Sequence, residues 1–110
     1  MTLSNWDADK QIGWKLFHLQ GTHPFYRAAM QHDAAYDLIR NGTSYKTLKE
    51  YDEEFLHNMR RVAKAFLLRG RFLYYWQLQR EARIFYNIVR AWGQHVRPEL
   101  DAWKPGDGPL

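Results

Sequence analysis

Positive charge in this 110-residue chain is concentrated between Phe55 and Pro98. That segment holds nine cations and one acid, Glu81, for a net charge of +8, whereas residues 1–54 hold six cations and eight acids. The nine cations are Arg60, Arg61, Lys64, Arg69, Arg71, Arg80, Arg83, Arg90 and Arg97. Because a solvated helix face usually mixes both signs, this imbalance predicts contact with an anionic surface. We expect the first seven of these cations to bind the polyanion, with nucleic acid as the favoured anion.

Aromatic residues follow closely within the same segment. Phe72, Tyr74, Tyr75 and Trp76 cover most of the circumference of a helix, and a single core buries only part of that circumference. We expect these four rings to stack on unpaired bases or to anchor a protein interface. The alternative is that a chain reversal folds several of them back onto the preceding helices. The sequence leaves both possibilities open.

Candidate catalytic residues are few. Arg90 and His95 have the spacing that small helical ribonucleases of the HEPN group use for their Arg–His pair, and so do Arg27 and His32. A chain with ten Arg and five His contains about one or two such pairs by chance, so the spacing alone does not indicate an enzyme. We therefore favour a non-catalytic protein and retain Arg90 and His95 as the candidates of a ribonuclease hypothesis.

Metal and cofactor chemistry has little support in the sequence. Glu54 and His57 show the spacing found in carboxylate-bridged di-iron bundles, but no second Glu-x-x-His motif occurs. The absence of cysteine excludes disulfides, thiolate catalysis and Cys-based zinc sites. No glycine-rich phosphate loop is present, since the seven glycines are scattered. We expect no metal and no cofactor.

The elements that position these residues are predicted to be helices. A weak capping pattern at Ser4 predicts a first helix over residues 4–19, and Pro24 suits the first turn of a second helix that ends at Arg40. Asn41 and Gly42 provide its stop, because glycine readily adopts the left-handed conformation that follows a helix.

Residues 43–92 contain no proline and a single glycine, Gly70. Apolar residues from Leu48 to Leu73 follow one helical stripe, and those from Tyr75 to Trp92 follow another that would lie on the opposite side of a continuous helix. A reversal at Gly70 brings both stripes onto one core, which favours a long αα-hairpin over one kinked helix. The prediction is an all-α bundle of about four helices ending in this hairpin.

The domain organisation and location follow from composition. We expect one helical domain over residues 1–97 and an irregular, mobile tail over residues 98–110, where Leu100 and Trp103 could still dock on the bundle. The N-terminal sequence lacks the pattern of a signal or transit peptide, and no apolar run is long enough to span a membrane. These features predict a soluble, cytoplasmic protein without membrane partners.

Three hypotheses of function remain from the sequence. The first is a non-catalytic module that binds nucleic acid or another polyanion, as a small subunit of a larger assembly. The second is an interaction subunit or inhibitor that docks on an acidic protein, or on a second copy as a homodimer. The third is the HEPN-like ribonuclease. Arginine dominates the cations, but it suits both phosphate and protein contacts, so residue type does not separate the first two.

Overall fold

The computed structural model describes residues 21–110, and every regular element in that range is an α-helix. The helices are α1 (Tyr26–Arg40), α2 (Leu48–Leu68), α3 (Phe72–His95) and α4 (Pro98–Ala102). The predicted all-α bundle is therefore confirmed. The first predicted helix, over residues 4–19, lies outside the described residues.

Helix α1 ends at the predicted glycine stop. Gly42 has a φ of 75°, which L-residues with side chains rarely adopt. Its N–H donates to the Ile39 carbonyl at 3.0 Å, and the Thr43 N–H donates to the Leu38 carbonyl at 3.0 Å. These two bonds form a Schellman motif, which satisfies carbonyls that the helix end would otherwise leave unpaired.

Helix α2 begins with a capping box. The Glu50 N–H donates to the Thr47 hydroxyl, and the Glu50 carboxylate accepts from the Thr47 N–H at 2.9 Å. The hydrogen bond from the Thr47 backbone, followed by that from its side chain, lowers the pKa of Glu50 below its ordinary value. The predicted hairpin helix thus starts at Leu48, five residues after Thr43.

The connection at Gly70 is a chain reversal. Gly70 has a φ of 80°, its N–H donates to the Leu67 carbonyl at 2.9 Å, and the Arg71 N–H donates to the Phe66 carbonyl at 3.0 Å. This is a second Schellman motif, and it releases the chain to begin α3 at Phe72. The αα-hairpin is confirmed, and a single kinked helix is excluded.

The core consists of two clusters of buried side chains, and α2 contributes to both. The first cluster contains Phe25, Ala28, Ala29, Phe55, Met59, Ala63, Leu78, Ala82 and Val89. The second contains Ala35, Tyr36, Ile39, Leu48, Tyr51, Trp92, Leu100 and Trp103. Helix α2 therefore lies between α1 and α3 and packs on each of them.

Residues 98–110 contain more regular structure and more buried side chains than the sequence predicts. The prediction of irregular structure from Pro98 onwards is wrong for Pro98–Ala102, which form the short helix α4 with proline in its first turn. Residues 103–110 are irregular, but the Trp103 indole N–H donates to the Gly108 carbonyl at 2.7 Å. Leu100 and Trp103 are buried in the second core cluster, as the sequence allowed.

The opposite end of the molecule, the hairpin tip, is defined here as residues 64–77. No residue in this range is fully buried, although Phe66, Tyr74 and Tyr75 are partly buried against the first core cluster. Leu73, predicted to continue the apolar stripe of α2, is 88 % exposed. The reason is the reversal at Gly70, which takes Leu73 off that stripe. Within residues 21–110, no helix is both long and apolar enough to cross a membrane.

Candidate functional site

The nine cations of the basic segment separate into two groups. Arg90 pairs with Asp52 and Asp101, and Arg97 pairs with Glu99. The other seven are exposed, and the described part of the chain places no carboxylate within ion-pair distance of any of them. They are Arg60, Arg61, Lys64, Arg69, Arg71, Arg80 and Arg83, the predicted polyanion-binding set. Their charge is therefore available to an external anion.

Three of these cations meet in a groove between α2 and α3, which we call the hairpin groove. It is lined by Arg60 from α2 and by Trp76, Gln79, Arg80 and Arg83 from α3. The α3 residues share one face, because positions four and seven apart lie one and two turns along a helix. The groove thus combines three guanidinium groups, an amide and an indole, without an acidic side chain.

The remaining members of the set lie elsewhere on the surface. Arg61 faces a second groove, between α1 and α2, which Arg27 and Asn58 also line. Arg60 and Arg61 therefore face different grooves, since neighbouring residues point about 100° apart on a helix. Lys64 is exposed one turn further along α2, at the first position of the hairpin tip. The predicted set is a band around the hairpin, with its densest part in the hairpin groove.

At the hairpin tip, the arginines pack on aromatic rings. The guanidinium carbons of Arg69 and Arg71 each lie 5.5 Å from the centre of the Phe66 ring, and that of Arg71 lies 4.7 Å from the centre of the Tyr74 ring. These distances are typical of cation–π contacts. Arg71 therefore covers one face of the Tyr74 ring.

The four predicted aromatic anchors have different environments. Phe72 is exposed at the tip, and Tyr75 is half-buried with its hydroxyl accepting a hydrogen bond from Gln79 at 2.9 Å. Trp76 is 65 % exposed and contacts the edge of Tyr75, with 5.1 Å between the ring centroids. Of the four, Trp76 is the ring that lines the hairpin groove.

A hydrogen-bonded network of polar side chains, buried at His32 and Asp52, joins all four described helices. The Asp52 carboxylate, fully buried in α2, accepts from His32 Nε2 of α1 at 2.5 Å and from Arg90 Nη1 of α3 at 2.6 Å. Arg90 Nη2 donates to Asp101 Oδ1 of α4 at 2.9 Å. We call these four residues the Asp52 network. Each carboxylate in it is compensated by a donor, which is the condition for burying charge.

The two candidate catalytic residues are not brought together. Burial lowers the pKa of Arg90, but the hydrogen bonds that it donates to Asp52 and Asp101 outweigh burial, so the pKa lies above its ordinary value. His95 is exposed in the last turn of α3, and five helical positions turn it about 140° away from Arg90. His32, in the other matching pair, is buried against Asp52. Both pairs thus contain a member of the Asp52 network.

Part of this network could have been predicted from polar residues that interrupt the apolar stripes of α1 and α2. Asp52 lies four residues after Leu48 and three before Phe55, in the middle of the apolar stripe of α2. His32 lies at the same spacing from Ala28 and Ala35 in α1. A polar residue at the centre of a buried stripe requires a partner from another helix. The stripes identify His32 and Asp52 as a candidate pair, but they do not identify Arg90 or Asp101.

Three polar atoms beside this network are buried without a hydrogen-bond partner among residues 21–110. They are His32 Nδ1, the Tyr36 hydroxyl and Trp92 Nε1. The three rings adjoin, with centroids 5.1 Å apart for His32 and Tyr36 and 4.9 Å apart for Tyr36 and Trp92. Burial, followed by the nearby charge of Asp52, raises the pKa of Tyr36 well above its ordinary value, so the phenol stays neutral.

The Glu54–His57 spacing does not assemble a metal site in the described region. Glu54 pairs with Lys46 at 2.8 Å, and this hydrogen bond raises the pKa of Lys46. His57 is exposed on α2. Within residues 21–110, no group of three or more His, Asp or Glu side chains is placed to hold a metal ion.

Comparison with known proteins provides no further assignment. The chain matches no protein-family model, no curated protein and no solved structure. The candidate site is therefore assigned from the geometry of this chain alone, as the hairpin groove and the exposed cations around it.

Proposed function

We propose that this protein is a non-catalytic helical module that binds nucleic acid or another polyanion through the hairpin groove and the cations around it. The observation that carries the proposal is the contrast in pairing: seven cations of the basic segment lack a carboxylate partner in the described structure. In the groove, Arg60, Arg80 and Arg83 present guanidinium groups that suit phosphate oxygens. As a small subunit, the module would supply this contact to a larger assembly.

The distribution of the cations predicts binding to the phosphate backbone with little base preference. Neutralised phosphates release counterions, so affinity falls with salt by a logarithmic slope of about 0.7 per contact for single strands and about 0.9 for duplex DNA. The one acid of the basic segment, Glu81, is not among the residues that line the groove: its Oε1 lies 3.4 Å from His23 Nε2, and its Oε2 accepts from Gln77. Binding through several contacts should therefore weaken at least about tenfold between about 50 and 200 mM salt.

The test is fluorescence anisotropy with labelled single-stranded RNA, single-stranded DNA and duplex DNA at those two salt concentrations. The decisive variant is Arg60→Ala/Arg80→Ala/Arg83→Ala, which removes three charges from the groove. Loss of three single-strand contacts is expected to reduce the salt slope by about 2. An absence of binding by the wild-type protein at about 50 mM salt would overturn the proposal.

A matched control separates the groove from net charge. The variant Arg27→Ala/Lys49→Ala/Lys104→Ala also removes three exposed cations, all of them outside the groove. We expect it to retain most of the wild-type affinity and salt slope. Equal losses in the two triple variants would show that overall charge, rather than the groove, governs binding.

One observation favours the alternative of a protein partner. At the hairpin tip, the apolar side chains of Leu68, Phe72 and Leu73 are exposed beside Arg69 and Arg71. An apolar patch with a cationic rim fits an acidic protein surface as well as it fits a polyanion. Failure of every nucleic acid to bind at low salt would make this alternative the preferred one.

A further inference from the structure

We infer that the hairpin groove takes single-stranded nucleic acid, with an unpaired base stacked on Trp76 and the adjoining phosphates on the groove arginines. This inference rests on the proposed function and specifies its substrate class. Its basis is the position of an exposed indole among unpaired guanidinium groups.

Only one of the predicted stacking residues is free to receive a base in the groove. Tyr74 packs edge-on against Phe66, with 4.9 Å between centroids, and carries Arg71 over its face. Tyr75 is half-buried and its hydroxyl is engaged by Gln79. Trp76 is 65 % exposed, so most of its indole is open to solvent.

The groove arginines lie at distances that suit a strand passing over the indole. With a rise of about 1.5 Å per residue, Arg80 and Arg83 lie about 6 and 10.5 Å along the helix from Trp76. The indole and the two guanidinium groups therefore follow one another along a single face of α3, in the direction that a bound strand would take. Arg60 lines the same groove from α2, so the strand would have cations on both sides.

The indole is what distinguishes single strands from duplexes. In a duplex, the base faces are covered by their neighbours, and a protein that contacts only phosphates gains nothing from an exposed indole in the site. An unpaired base offers a free face, and stacking on an aromatic side chain tolerates every base. The groove therefore predicts preference for single strands without sequence specificity.

The experiment compares Trp76→Ala, Trp76→Phe and the control Tyr45→Ala by anisotropy at about 50 mM salt. The probes are labelled oligo-dT, oligo-rU, an abasic strand of equal length and a blunt duplex. Stacking predicts that Trp76→Ala weakens binding to oligo-dT and oligo-rU by about fivefold to a hundredfold. Its affinities for the duplex and the abasic strand should change less than about twofold, because the abasic strand has no bases and all base faces inside the duplex are covered.

The conservative and control variants sharpen the result. Trp76→Phe keeps a ring and should recover part of the lost affinity, whereas Tyr45→Ala removes an exposed ring outside the groove and should change little. Equal loss of single-strand and duplex binding in Trp76→Ala, or no loss of either, would overturn the inference. In that case, weakening by the groove triple variant would still support the proposed function. Failure of all four probes to bind the wild-type protein would overturn both.

Discussion

Two regions of this molecule use arginine in opposite ways. In the Asp52 network, the Arg90 side chain is 13 % exposed and donates to two carboxylates from different helices. In the hairpin groove, Arg60, Arg80 and Arg83 are exposed and have no carboxylate partner among the described residues. The net charge of the basic segment therefore does not show which cations are available: Arg90 and Arg97 are paired with carboxylates, whereas the other seven cations have no such partner among the described residues.

The comparison also separates structural from binding roles. Removing one member of a buried ion pair leaves the other member buried without a compensating charge. Removing an exposed, unpaired side chain creates no such uncompensated group. Stability should therefore respond to the Asp52 network, and anion binding should respond to the groove.

The largest effect is expected from Asp52→Ala. This change leaves His32 without its partner and Arg90 with Asp101 alone, so we expect the free energy of unfolding to fall by about 3–5 kcal/mol. Urea denaturation measures the loss. Glu54→Ala is the matched control on the same helix: it removes a surface pair with Lys46 and should cost no more than about 1 kcal/mol. Similar losses in the two variants would contradict the contrast between the regions.

The two glycine turns provide an intermediate test. Gly42→Ala and Gly70→Ala both impose a left-handed conformation on a residue with a side chain, at about 1–2 kcal/mol each. A Cβ at Gly70 meets open space, but at Gly42 it would lie 2.5 Å from the Gly108 carbonyl carbon and the Pro109 nitrogen. We expect Gly42→Ala to be the more destabilising in thermal or urea unfolding. Equal effects would indicate that residues 108–109 are not held against this turn.

The smallest effect on stability is expected from the groove arginines. Arg80→Ala and Arg83→Ala should each change the free energy of unfolding by less than about 0.5 kcal/mol, because neither side chain is buried or paired in the described structure. Since the exposed cations repel one another, added salt should stabilise the wild-type protein more than the groove triple variant. Urea titrations at low and high salt measure both quantities. A loss above about 2 kcal/mol in either single variant would assign it a structural role.

The sequence predicted the backbone better than the polar interior. Helical periodicity and the two glycines located α1, α2, α3 and both turns, because these features depend on local conformation and on which face is apolar. Helix α4 was missed because its five residues are too few to show a period, and it is held by the burial of Leu100.

The candidate site could be predicted only as a set of residues. The charge imbalance identified the nine cations of the basic segment. It did not show that Arg60 and Arg61 face different grooves, or that Trp76 alone among the predicted aromatics lines a groove with Arg80 and Arg83. Those relationships depend on how α3 packs beside α2, which a one-dimensional pattern does not contain. The pairing of Arg90 with Asp52 was missed for the same reason, since these residues lie 38 positions apart.

The lack of burial over residues 64–77 has a consequence for motion. Helix ends with few buried contacts open locally at a lower free energy than the core, so the amides of the hairpin tip should exchange with solvent sooner than those around Phe55 and Leu78. Trp76 lies within this labile stretch, and Arg80 and Arg83 lie just beyond it. A ligand that contacts Trp76 together with Arg80 and Arg83 would connect the hairpin tip to the better-packed part of the hairpin. Its binding would suppress local opening of the tip, and the entropic cost of this ordering would reduce the net binding free energy.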